Sequence, residues 1–119
     1  LIHNYVSLGY AAILAEAAAA ARTEAINADT MIEVLEAGGG KSVVLDRFRP
    51  YLQNGDTSGL RFSLANAAKD IDYFTIANQP SHVASALQAL FQDTAADIGG
   101  SESVLKLIDQ LAARDADQR

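Results

Sequence analysis

The chain has 119 residues, half of them hydrophobic and a fifth charged, with a formal net charge of −6 and no cysteine. That length fits one domain, residues 1–119, and that balance is the composition of a soluble globular one. Without cysteine there are no disulfides, thiolate zinc sites or Cys nucleophile, and the acidic charge argues against a nucleic-acid partner, which needs a concentrated basic face.

The opening stretch, "LIHNYVSLGYAAILAEAAAAARTEA", predicts a long helix from Leu1 or earlier to about Glu24. Leu1, Tyr5, Leu8, Ala12, Ala15 and Ala19 recur at helical steps, and Ile2, Val6, Gly9 and Ile13 form a second apolar stripe beside them. An apolar circumference of that width places the helix mid-bundle, with Leu1 and Ile2 on a buried face. Gly9 costs about 1 kcal/mol against Ala in a helix interior, so another helix is expected to approach there. Glu16 interrupts the run too early for a membrane span, and no basic segment marks it as a signal peptide. No Ser, Thr, Asp or Asn precedes the apolar run as a cap, so the expected true start of this helix lies upstream of Leu1.

A second helix follows through "INADTMIEVLEAGGG", with Asn27 as its cap, Asp29 in its first turn and Gly38–Gly40 as its stop. Ser42 caps a short third helix that Pro50 is expected to end. "QNGDTSG" reads as a loop. Ser63 opens a fourth helix with Leu64, Ala67, Ala68, Ile71 and Phe74 inward, which Pro80 breaks. The fifth carries Val83, Leu87, Leu90, Phe91, Thr94 and Ile98 on one face and ends at Gly99-Gly100. Ser101 is read as the cap of the last helix, with Val104, Leu105, Ile108 and Leu111 inward and a frayed tail from Arg114. The fold class is all-α, a bundle of about six helices without internal repeats. "KSVVL" is the one run ambiguous with a strand.

The chemical inventory is short. Lys41, Arg47 and Arg49 form a small basic cluster that reads as solvated helix charge. His3 and His82 are far apart in sequence and lack carboxylates at ligand spacing, so no metal site is expected. Glu33 and Glu36 read as a solvated face. "GGGKS" follows a helix and lacks the G-x-x-x-x-G-K-[ST] spacing of a phosphate loop, so it reads as a turn. Asn4 and Ser7 put polar groups on an apolar helix, and a buried Asn must find partners. Asn66, Lys69, Asp70 and Tyr73 share one side of the fourth helix. Lys69 and Asp70 are adjacent and cannot pair as a helix ion pair, so something else must meet them.

These residues carry a resemblance. From "LIHNYVSLGYAAILAEAAAAARTEAINADTMIEVLEAGGGKSVVLDRF" through "RFSLANAAKDIDYFTIA" the chain resembles the C-terminal helical domain of the β-hydroxyacid dehydrogenases, a 6-phosphogluconate dehydrogenase C-terminal-domain-like bundle. That family includes 3-hydroxyisobutyrate dehydrogenase, tartronate semialdehyde reductase and glyoxylate/succinic semialdehyde reductase. The likeness spans nearly the whole chain, firm for the first seventy-odd residues and looser after Ile76, where the chain goes directly to "NQPSH". The family's first-helix signature is K-x-x-x-N. Asn4 matches its Asn, the Lys would fall immediately before Leu1, and His3 stands where members often carry another Asn. Phe62, Lys69 and Asp70 match the second signature in identity and spacing.

The resemblance implies that the Lys before Leu1 is the catalytic acid/base and that Asn4 holds the substrate. It implies that Phe62 and Asp70 border the substrate pocket and that Lys69 reaches a nicotinamide cofactor. It further implies an upstream Rossmann domain with the G-x-G-x-x-G loop. NAD or NADP would bind the intact protein, with none held tightly by this chain alone, and the chain alone would be inactive. The substrate class would be a small β-hydroxyacid or semialdehyde, the setting cytoplasmic, and the assembly a homo-oligomer through helical faces. Two alternatives stay open. One is an imine-reducing relative of the same architecture, against which the Lys69-Asp70 pair argues. The other is a stand-alone helical interaction or dimerisation module without catalysis.

Overall fold

A computed structural model describes residues 1–118 and is helical throughout. The helices are α1 (Ile2–Thr23), α2 (Ala28–Glu36), α3 (Val43–Asn54), α4 (Leu64–Ala77), α5 (His82–Ile98) and α6 (Leu107–Gln118). Short 3-10 turns lie at Thr57–Gly59 and Val104–Lys106. Among the described residues the only extended pairing is a single bridge between Ser63 and Ser103. "KSVVL" is the start of α3, where the Ser42 hydroxyl accepts from the Leu45 N–H at 3.0 Å. Asn27 caps α2 in the same way, accepting from Asp29 N–H at 2.8 Å.

The core forms around α1. Ala11, Ala12, Ala15, Ala18 and Ala19 are all buried, and all five other helices touch this helix. Methyl side chains let neighbouring backbones come close, and the volume is filled from the other side by Leu45, Phe48, Leu64, Ile71, Phe91, Leu105, Leu107 and Ile108. The expected approach at Gly9 is present: a methyl there would lie 3.4 Å from Leu87 Cδ1 of α5.

Four expectations are corrected. Leu1 and Ile2 are exposed, at 55% and 72%, and so are Val6 and Ile13. The other helices gather on the alanine face, centred near Ala11 and Ala15, and leave the second stripe uncovered. Val83 on α5 is exposed as well.

Pro50 does not end α3, which runs on to Asn54. Pro50 removes one helical N–H, a cost of about 3 kcal/mol or more. Phe48 and Tyr51 on either side of it are buried core anchors that hold the helix in register. The stop is Gly55, whose φ of +70° is a left-handed conformation that favours glycine.

Ser101 does not cap a helix. The backbone of the 100–104 segment is committed elsewhere: Gly100 C=O accepts from Ala65 N–H at 2.9 Å and Glu102 C=O from Leu64 N–H at 2.8 Å. The helical turn begins later, where the Ser103 hydroxyl accepts from Leu105 N–H at 3.1 Å.

The tail from Arg114 was expected to fray, but α6 continues to Gln118, and Arg114 donates to Asp97 at 2.7 Å. Arg119, at the end of that expected tail, lies outside the described residues.

One polar cluster ties three helices together. Asp109 of α6 pairs with Arg22 of α1 at 2.5 Å and accepts a hydrogen bond from the Tyr51 hydroxyl of α3. The Lys106 ammonium sits 5.7 Å from the Tyr51 ring centroid. Burial, with the hydrogen bond to Asp109 adding to it, pushes the Tyr51 hydroxyl up to about 12. Burial works to raise the Asp109 carboxyl, but Tyr51 and Arg22 outweigh it and hold the group below its ordinary value.

Two consequences are measurable. Asp109 is depressed in the folded state, so its stabilisation is complete above the unfolded value of 3.8 and is lost as pH falls through the folded value. Tyr51 is raised, so its stabilisation is complete below 10.0 and is lost as pH rises towards about 12. Thermal melts of the chain are expected to show both limbs, with Asp109→Asn flattening the acid one and Tyr51→Phe the alkaline one. Ala15→Leu, at a position with no exposure, is expected to cost about 1–3 kcal/mol by overpacking, read from urea unfolding.

Candidate functional site

The 60–65 loop carries Phe62, and its position is set by the 100–104 segment opposite. Val104 N–H donates to Phe62 C=O at 2.9 Å, and the Ser103 hydroxyl donates to Leu60 C=O at 3.1 Å. These bonds satisfy backbone groups that a loop beside a core would otherwise leave unpaired. They also fix Phe62 facing the first turns of α1.

The start of α1 is held independently. Tyr5 stacks on Phe74 of α4, ring centroids 4.0 Å apart and planes 4° from parallel. One residue earlier, Asn4 Nδ2 donates to Asp70 Oδ2 of α4 at 3.1 Å. Asn4 is therefore exposed rather than buried, and the Asp70 carboxylate answers its side-chain amide.

Between these elements lies a cavity of 370 Å³. Its floor is buried Leu8, Ala11 and Val104, and its sides are half-buried Ser7, Val44, Leu60 and Phe62. The exposed residues on its wall are His3, Asn4, Val43 and Arg47. An apolar body with a few polar groups at one end is the usual form of a small-molecule site, and the volume falls at the small end of that class.

The expected site residues divide accordingly. Asn4 and Phe62 share the cavity wall, and Asp70 adjoins it through its hydrogen bond to Asn4. Lys69 is not on that wall. It is exposed on the outer side of α4 with Asn66 and Tyr73, and makes no ion pair among the described residues.

Arg47, which reads from sequence as a solvated charge, stands on the cavity wall. Its signal was available: Val43, Val44 and Arg47 lie at steps of three and four, on one side of α3. Leu60 and Val104 had no comparable signal, because a loop and a 3-10 turn bring them in. Arg49, the neighbour grouped with Arg47, is committed to Glu36 and lies 3.8 Å from Asp46.

Other features carry less chemistry. Glu33 and Glu36 border a shallow groove between α2 and α3 with Asp29, Arg49 and Gln53, where Glu36 is neutralised by Arg49. No cluster of three His, Asp or Glu able to hold a metal occurs among the described residues. His3 and His82 line different cavities. The glycine turn after α2 follows a helix rather than a strand, and its Gly40 C=O accepts from the Tyr10 hydroxyl. No helix of the described residues is long and apolar enough to cross a membrane.

Comparison with protein-family models, with curated proteins and with solved structures finds no match.

The Asn4–Asp70 bond gives a direct test of the geometry. Asp70→Ala is expected to leave the melting temperature nearly unchanged, since the pair is solvent-exposed. The two side-chain amide proton signals of Asn4 are expected to shift in the ¹⁵N-correlated spectrum. An unmoved Asn4 side-chain signal would remove the bond from the site.

Proposed function

We propose that this chain is the helical domain of an NAD(P)-dependent oxidoreductase acting on a small β-hydroxyacid or semialdehyde. The observation that carries the reading is that Asn4 and Phe62 line one cavity and that Asp70 adjoins it by accepting from Asn4. They are distant in sequence and are the residues that the family resemblance assigns to substrate binding.

The chain's own groups suit that task. Asp70 accepts from Asn4 Nδ2, which fixes the amide plane and leaves Asn4 Oδ1 to accept from a substrate hydroxyl. Phe62 supplies an apolar wall that excludes water from the reacting carbon. Ser7, one turn along from Asn4, adds a hydroxyl on the same wall. Lys69, an exposed ammonium next to Asp70 without an ion-pair partner among the described residues, fits a cofactor arriving from outside the bundle. The cofactor, when bound, supplies hydride exchange at the alcohol carbon. The resemblance implies a Lys at the position preceding Leu1, one helical turn before Asn4, whose amine would take the hydroxyl proton if its pKa were lowered towards neutrality.

On this reading the cytoplasm is the setting, an upstream Rossmann domain is the first partner, and the exposed Ile2, Val6 and Ile13 stripe takes part in assembly. That stripe also favours a second reading, a helical interaction module without catalysis. The two differ in what stands upstream of Leu1. An in-frame Lys codon preceded by a Rossmann fingerprint supports the dehydrogenase. The fingerprint with another residue at the Lys position supports an imine-reducing relative, and neither feature supports the interaction module.

In the protein carrying its encoded upstream segment, Asn4→Ala is expected to lower kcat/KM about 10- to 100-fold, with an unchanged melting temperature. Unchanged kcat/KM would reject the role of Asn4. The 119-residue chain alone is expected to turn over no NAD(P)H, and measurable turnover would contradict the reading.

A further inference from the structure

The chain has five asparagines, Asn4, Asn27, Asn54, Asn66 and Asn78, and only Asn54 is followed by glycine. The carbonyl of an asparagine side chain is open to attack by the backbone nitrogen of the next residue, and a side chain on that residue stands in the way. Glycine has no Cβ to obstruct the approach. The other four asparagines are held or enclosed. Asn4 donates to Asp70, Asn27 accepts from the Asp29 N–H, and Asn78 donates to Phe74 C=O at 3.1 Å. Asn66 lies inside α4 and is followed by the fully buried Ala67.

Asn54 is the last residue of α3, is exposed, and makes no side-chain hydrogen bond among the described residues. It stands on the wall of an open groove with Asn27, Asp29 and Gln53, where water reaches it. Gly55 carries a φ of +70°, and a methyl built there would meet nothing within 4 Å. One contact opposes reaction. The Gly55 N–H donates to Tyr51 C=O at 2.9 Å, so the attacking nitrogen is occupied while the last turn is closed. The bond after it, from Asp56 N–H to Pro50 C=O, is long at 3.4 Å, and Pro50 itself gives the helix no N–H. Terminal helix turns open far more often than a domain unfolds.

We infer that Asn54-Gly55 is a self-modification site, at which Asn54 converts spontaneously to aspartate and isoaspartate. In the opened turn the Gly55 nitrogen gives up its proton and bonds to Asn54 Cγ. The Cγ–N bond of the side-chain amide breaks, ammonia leaves, and a five-membered imide remains. Water then adds to one of the two imide carbonyls and opens the ring, giving aspartate in one case and isoaspartate in the other. Each event puts a carboxylate where a neutral amide stood, adding one negative charge to the net −6. That charge falls at the C-terminal end of α3, where the helix dipole disfavours it. It also falls two residues from Asp56, whose carboxyl the bond from Ser58 N–H holds below its ordinary value. The isoaspartate form further inserts one carbon into the main chain between α3 and the Thr57–Gly59 turn. That turn is packed closely on α3, since a methyl on Gly59 would lie 2.5 Å from Arg47 C=O. Modification therefore loosens the end of α3 and the loop that follows it. The site uses neither the cavity nor the dehydrogenase reading.

The test is incubation of the 119-residue chain at about pH 8 and 37 °C, sampled over several weeks. The expected result is a gain of about 1 Da with release of ammonia, a species retained longer on anion exchange, and peptide mapping that puts both products at position 54. Asn54→Gln, at an exposed position, is expected to melt with the parent chain and to show no gain there. The urea-unfolded chain is expected to react no more than about a hundredfold faster than the folded one, because only the last turn has to open. Hydrogen exchange at Gly55 and Asp56 is expected to be faster in the modified form.

No gain in mass, a gain confined to another asparagine, or an equal gain in Asn54→Gln would overturn the inference. So would a folded-state rate suppressed by more than that factor, which would tie the reaction to global unfolding. Unchanged exchange at Gly55 and Asp56 in the modified form would overturn the loosening.

Discussion

The fold depends on how closely helices can approach α1. Ala15 is completely buried, and Ala11, Ala12, Ala18 and Ala19 are nearly so, which makes one face of the helix almost smooth. Buried alanines contribute little transfer free energy each. Their effect is geometric: they bring the larger side chains of α3, α4, α5 and α6 into mutual contact over the helix. Phe48, Phe91, Leu105 and Ile108 then form one continuous core with it rather than separate patches. A larger side chain at Ala15 would push these layers apart, because a close-packed interior transmits such strain.

The cavity is the exception to that packing, and its cause is the change of backbone type at its edge. Residues 100–104 are joined to 60–65 by irregular backbone hydrogen bonds and the single bridge at Ser63 and Ser103. A helix in that place would fill the space beside Leu8. The irregular segments instead leave the space open, with Phe62 and Val104 lining it. The Asn4–Asp70 bond and the Tyr5–Phe74 stack fix the opposite side. Both edges are therefore held by local contacts that do not need a ligand, the condition for a preorganised site.

Local signals were sufficient for the helices and insufficient for the way they meet. Caps at Asn27, Ser42 and Ser63 and the glycines at Gly38–Gly40 marked boundaries correctly, because they act on adjacent backbone groups. Pro50 misled, since its local penalty is opposed by the burial of Tyr51, which no local window contains. Ser101 misled because its segment pairs with chain about 40 residues away. Leu1, Ile2 and Val6 misled because apolar periodicity reports that a face is apolar, not that this chain covers it. In the cavity, Asn4 and Phe62 were legible through motif spacing, whereas Arg47 was obscured by adjacent Arg49, whose role as an ion-pair partner is the ordinary one.

The floor of the cavity has a thermodynamic corollary. Leu8 and Val104 belong to the main core, and the Val104 amide is the one that pins Phe62. The floor of the pocket therefore exists only while Leu8 and Val104 keep their places in the core. An occupant binds the native ensemble and finds nothing to bind in the unfolded one. Occupancy and folding are thus linked by mass action, and a resident ligand at a hundredfold excess over its dissociation constant adds about 2.7 kcal/mol to the stability of the entire domain.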